Sequence, residues 1–94
     1  MDLQLTEIVL FELPGSIAAQ GLLRELATER LAWLQEGESA AVVGALLSPD
    51  PLDFARLLRD TQAWLDRSGL AAIRFEVDGR TYFLEARLVP AAVG

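Results

Sequence analysis

Three groups of side chains in this chain have types and spacing that chemistry could use. Glu36 and Glu38 flank Gly37, and such a pair could share a cation or divide a general acid and a general base between them. Asp50 and Asp53 could bind a metal. Arg56, Arg59 and Arg67, interleaved with Asp60 and Asp66, could form an anion or partner patch. Each group also has a local explanation. The glutamates suit a solvated hairpin turn, and the aspartates suit the capped start of a helix. The arginines suit a solvated helix face with short-range ion pairs. These local explanations are preferred. Trp33 and Trp64 have the side chain favoured at binding hot spots, or they edge the core. Tyr82 falls on a core face and offers little as a catalytic acid.

What is missing narrows the chemistry further. Cysteine and histidine are absent, which excludes the usual zinc sites, thiol chemistry, disulfides and histidine-based triads. All eight basic residues are arginine, so there is no Schiff-base or P-loop lysine. No catalytic, metal or cofactor-binding residue is assigned, and the expectation is a non-catalytic protein without a cofactor. An enzyme built on this chain would need residues from another subunit. The net charge of −6 and pI near 4.4 argue against nucleic acid and against anionic membrane surfaces. No apolar run approaches the roughly 20 residues of a membrane span. Met1-Asp2-Leu3 lacks the basic start of a signal peptide, so the expected location is cytoplasmic. Arginine without lysine, with much Ala and Leu, suggests a GC-rich genome.

The elements that must position these residues are read from pattern. Residues 38–47 carry no polar side chain after Glu38 and Ser39, and do not alternate as a half-exposed strand would. They read as a central strand covered on both faces. Residues 3–13 read as a first strand, with Leu5, Val9, Phe11 and Leu13 on the core and Ile8 and Leu10 on a second face. Pro14-Gly15 stops it, and Ser16 is the expected N-cap of a helix over 17–30 in which Gly21 implies either close packing, the preferred reading, or a loose first turn. Residues 31–35 read as a short strand leading into a turn at 36–38, the rival being a helix extended through Leu34. In 48–53, Asp50 fits N-cap, Pro51 N1 and Asp53 N3. The helix that follows has a stripe of Phe54, Leu57, Leu58, Thr61 and Leu65, and ends at Gly69. Residues 71–77 and 80–88 form a hairpin about a type I′ Asp78-Gly79 turn. Its register sets Val77 against Arg80, Phe75 against Tyr82, Ile73 against Leu84 and Arg74 against Phe83, with Glu85 diagonal to Arg74.

The order is βαββαβ plus one strand. The expected fold class is α+β: a ferredoxin-like layout with an extra C-terminal hairpin strand and two helices on one face of an antiparallel sheet. Residues 1–88 make a single domain and 89–94 a flexible tail. A hydrophobic content of 52% and mean hydropathy of +0.30 are high for 94 residues. A chain this short buries only about two thirds of its surface. Two helices cover one face, yet the central strands are apolar on both. Either small Ala and Gly side chains tolerate exposure, or a second copy or partner protein covers the sheet. The second account is preferred, with Ile8, Leu10, Val43, Arg74 and Phe83 as the interface.

Leu13-Pro14-Gly15-Ser16-Ile17, closing the first strand and opening the first helix, resembles the corresponding loop of ACT domains. These small-molecule-sensing modules share the βαββαβ layout. The resemblance implies an amino-acid effector contacted by Gly15 and Ser16 at a subunit interface. The glycine usual between first helix and second strand is missing, since Glu29-Arg30 stands there. Residues 57–87, with Trp64-Leu65 leading into Val77-Asp78-Gly79-Arg80, are similar to the effector-associated constant component domains of bacterial conflict systems. That similarity implies an interaction component rather than a catalyst.

Overall fold

The computed structural model describes residues 7–38 and 40–87, and seven elements lie within them. They are β1 (Ile8–Leu13), α1 (Ser16–Leu26), β2 (Ala32–Glu36), β3 (Ala41–Leu46), α2 (Asp53–Ser68), β4 (Ala72–Val77) and β5 (Arg80–Glu85). The expected start of the first strand at 3–6, Ser39, and the tail at 89–94 lie outside the described residues. The fold is α+β: one antiparallel five-stranded sheet of order β2-β3-β1-β4-β5, with two helices. Residues 32–36 are strand, so the helical alternative for this stretch is set aside.

β1 and β3 are interior strands, and both show why their apolar runs do not alternate. β1 pairs with β3 from Ile8↔Leu46 to Leu13↔Ala41, and with β4 from Val9↔Val77 to Glu12↔Arg74. Val9, Phe11 and Leu13 point the same way as Ala41, Val43 and Ala45, and all six are buried. From the helices, Ala19, Leu22 and Leu26 of α1 and Leu57, Thr61, Trp64 and Leu65 of α2 close over them. Phe75 sits between Phe11, Phe54 and Tyr82, with ring centroids 5.6, 6.4 and 5.4 Å away. Each such buried Leu or Phe contributes about 1.5–3 kcal/mol relative to exposure.

α1 is shorter than its periodicity suggests. It ends at Leu26, and the N–H groups of Glu29 and Arg30 fold back onto the Leu26 carbonyl. This tight turn has no Gly or Pro to announce it. Ser16 is the first helical residue rather than the cap; extended Gly15 (φ −173°) holds the cap position, with no side-chain cap bond. At Gly21 an added Cβ would stand 3.3 Å from Trp64 Nε1, so the helices meet there by backbone against indole.

α2 starts at Asp53, two residues later than expected, although Asp50 does organise the preceding turn. The Leu52 N–H donates to Asp50 Oδ1 at 2.9 Å, and the Asp53 N–H to the Asp50 carbonyl at 3.0 Å. Gly69 ends the helix with φ 86°, as expected.

The β4–β5 hairpin has the expected register throughout. Asp78 (φ 54°) and Gly79 (φ 72°) are both left-handed, as a type I′ turn demands. A Cβ at Gly79 would meet nothing within 4 Å, so substitution there carries a conformational cost alone. Gly79→Ala is expected to lower stability by about 1–2 kcal/mol, read as a lower denaturant midpoint at unchanged slope. An unshifted midpoint would mean that the turn does not enforce this geometry.

Candidate functional site

The sheet face turned away from the helices is built from two cross-strand rows. One runs Trp33, Gly44, Leu10, Glu76, Thr81; the next runs Gln35, Val42, Glu12, Arg74, Phe83. Ile8 and Leu46 pair beside the first row. Trp33 lies flat on Gly44: a Cβ at Gly44 would fall 2.3 Å from two indole carbons. Part of the apolar middle is therefore sheltered by the chain's own β2, which pattern reading did not anticipate.

The rest is not sheltered. Phe83 is 70% exposed and Ile8 45%, while Leu10, Val42 and Leu46 are half-buried. Arg74 reaches Glu12 across β1–β4 at 3.7 Å, rather than the diagonal Glu85. Both side chains are about half exposed, so the pair adds little stability. A shallow trough of about 400 Å³ crosses this face, lined by Ile8, Leu10, Trp33, Gln35 and Glu76 among others. Ile17, Leu31 and Leu52 are also exposed, outside the sheet.

Ile8, Leu10, Arg74 and Phe83 thus share one face, as expected. Val43 does not. It is 0% exposed, opposite Phe11 and Leu34, on the helix-covered side. A strand with no alternation carries no mark of which parity faces inward; the pairing with β1 decides it, and gives Val42 and Leu46 to the open face instead.

The charged groups sort differently. Asp53 is not a solvated cap but a buried partner of Arg30, whose Nη1 donates to Oδ2 at 2.9 Å. The Ser48 N–H donates to the same oxygen at 2.8 Å. Burial alone would raise the Asp53 pKa, but the Ser48 N–H and the Arg30 guanidinium outweigh it and hold the carboxyl below its ordinary value. Arg30 and Asp53 are 23 residues apart, and nothing local signals the pair. Arg56 pairs with Asp50 at 3.2 Å and Arg59 with Asp60 at 3.9 Å, the local ion pairs expected of a solvated face. Arg67 instead reaches Glu25 of α1 at 3.0 Å. Asp66 accepts the Arg87 backbone N–H at 2.8 Å and the Gln62 amide at 2.9 Å; these bonds, the first foremost, lower its pKa. Glu36 and Glu38 are exposed at the β2–β3 turn.

A groove of about 430 Å³ lies between the start of α2 and the β4–β5 turn, lined by Pro49, Asp50, Phe54, Asp78, Arg80 and Tyr82 among others. Its charges are mixed, and Asp50 among them is held by Arg56. Tyr82, expected on the core face, does stack on Phe75 but is 41% exposed because β5 is an edge strand. Gly15 and Ser16 stand at the first turn of α1, Ser16 exposed. Among the described residues no three acidic side chains gather as a metal site would require, and no helix is long and apolar enough to cross a membrane. Compared with known proteins, the chain matches no family model, no curated protein and no solved structure.

Proposed function

We propose that this protein is a non-catalytic association module whose open sheet face binds a second copy of the chain. The observation that carries the reading is the apolar cluster of Ile8, Leu10, Val42 and Leu46, with Phe83 beyond Glu12 and Arg74, on a sheet that has helices on its other side only. Exposed apolar surface grouped on one face marks protein contacts. Glu12, Arg74 and Glu76 leave the face with a charge of about one unit, which suits contact between copies of an acidic chain. The strand order of β2, β3, β1 and β4 supports reading the fold as ferredoxin-like with β5 added. The small-molecule reading rests on Gly15 and Ser16 alone, and no further observation favours it.

Trp33 reports on this face directly. In a Trp64→Phe variant, Trp33 is the sole tryptophan. Its emission is expected to shift to the blue, and to become less quenchable by acrylamide, as protein concentration rises. Leu10→Arg is expected to abolish that response while leaving the circular dichroism spectrum unchanged, because Leu10 points away from the core. A Trp33 signal independent of concentration would remove this reading.

A further inference from the structure

We infer that the free edge of β5 pairs antiparallel with β5 of a second copy, around a two-fold axis at Tyr82, to give one continuous sheet. This contact is made by the backbone edge of β5 rather than by the open face; Phe83 alone borders both, and the pairing does not depend on the face.

The argument starts with which backbone groups are free. The Ala86 N–H donates to the Ala71 carbonyl at 2.8 Å, so the even-numbered residues of β5 turn their backbone groups toward β4. The odd-numbered ones, Thr81, Phe83 and Glu85, turn theirs outward. Consistent with this, Gln62 Nε2 of α2 donates to the Glu85 carbonyl at 2.8 Å. Asp66 takes the Arg87 N–H. Two side chains of α2 therefore cap one end of the edge. The N–H and C=O of Thr81 and Phe83 have no hydrogen-bond partner among the described residues.

Edge strands are usually blunted by lysine, proline or a bulge. Arg80-Thr81-Tyr82-Phe83-Leu84-Glu85 has no lysine or proline, and its register with β4 runs without a bulge from Ala72↔Glu85 to Val77↔Arg80. It is made largely of strong strand formers. Charge selects the occupant. Residues 72–87 carry three arginines (Arg74, Arg80, Arg87) and three acids (Glu76, Asp78, Glu85), and so are neutral in a chain of net charge −6. The opposite edge, β2 and its turn, carries Glu36 and Glu38 and no base over 32–38. A second copy therefore meets least repulsion at β5. Antiparallel self-pairing also brings the Arg80 end of each strand alongside the Leu84-Glu85 end of the other.

Symmetry sets the register. A two-fold axis normal to the sheet keeps each face on its own side, so opposed residues share parity. Thr81 then exchanges both hydrogen bonds with Phe83 of the second copy, and Phe83 with its Thr81. Tyr82 faces its own copy on the axis, as a non-hydrogen-bonded pair. The exposed ring of Phe83 is covered by Thr81 of the second copy.

The chain has no cysteine, so one introduced thiol tests the geometry cleanly. Opposed non-hydrogen-bonded residues have Cα atoms about 4.5 Å apart, within disulfide reach. Tyr82→Cys with oxidised glutathione is therefore expected to give a covalent dimer of folded protein. Phe83→Cys is expected not to, since it stands diagonal to its copy. Adding Thr81→Pro to the Tyr82→Cys chain removes an outward N–H and leaves the β4 ladder intact; the dimer yield is expected to fall at least tenfold. In the unmodified chain, hydrogen exchange at Thr81 and Phe83 is expected to slow as concentration rises. A folded Tyr82→Cys chain that stays monomeric, a Thr81→Pro chain that cross-links undiminished, preferential cross-linking through Phe83→Cys, or concentration-independent exchange at both amides would each overturn the pairing. None of these outcomes touches the Trp33 response of the open face, so the two contacts fail separately.

Discussion

Gly44→Val is expected to destabilise the protein by about 2–3 kcal/mol, against the usual preference of strands for valine over glycine. On backbone grounds alone the exchange should help, since glycine in a strand interior costs roughly 0.5–1 kcal/mol and Gly44 is not in a left-handed conformation. The sign is set by Trp33. A Cβ would lie 2.3 Å from two of its ring carbons, so the indole must leave. Its emission should move to the red as it enters water, and the denaturant midpoint should fall. Trp33→Ala removes the obstacle, so adding Gly44→Val to that background should cost far less than in the native chain. That coupling, measured by a double-mutant cycle, is the specific readout. A Gly44→Val protein as stable as the parent, with unchanged Trp33 emission, would mean that the indole does not rest on the sheet.

Asp53→Ala is expected to cost about 3–5 kcal/mol, the range for breaking a buried ion pair from one side. The two side chains are only 7% (Arg30) and 13% (Asp53) exposed, so the arginine is left charged and largely dry. Its Nε is already buried without a hydrogen-bond partner, which leaves little else to compensate. The Ser48 N–H loses its acceptor as well. Replacing both residues together, as Arg30→Met with Asp53→Leu, should be much milder, because no charge is then stranded. The same pair gives an acid limb. The folded-state pKa of Asp53 lies below its ordinary value of 3.8, so its contribution is complete above that value and is lost as pH falls through the folded pKa. Stability measured from about pH 5 downward should therefore fall more steeply in the native chain than in Asp53→Ala. Parallel acid limbs in the two proteins would contradict the pairing.

These two sites were the least legible in the sequence, and for related reasons. Reading the turn as residues 36–38 misses the register; the strands pair with Glu36 opposite Ala41, and only that register sets Trp33 against Gly44. The Arg30–Asp53 contact joins the end of one helix to the start of another. The end of α1 at Leu26 is itself unmarked in the sequence. Val43 and Val42 are chemically identical neighbours in a run with no alternation, so nothing local assigns one to the core and the other to the open face.

What the sequence determined by itself is what neighbouring residues enforce. The Asp78-Gly79 turn set the register of β4 and β5 pair by pair, since a two-residue type I′ loop admits one alignment of its flanking strands. The amphipathic stripe and Gly69 marked α2, and the unbroken apolar run marked β3 as an interior strand. Only the tertiary structure decided which parity of β3 faces the helices, which ring lies on Gly44, and which arginine meets Asp53. Those outcomes depend on how distant segments dock, and docking is settled by the packing of whole faces rather than by the preferences of any one stretch.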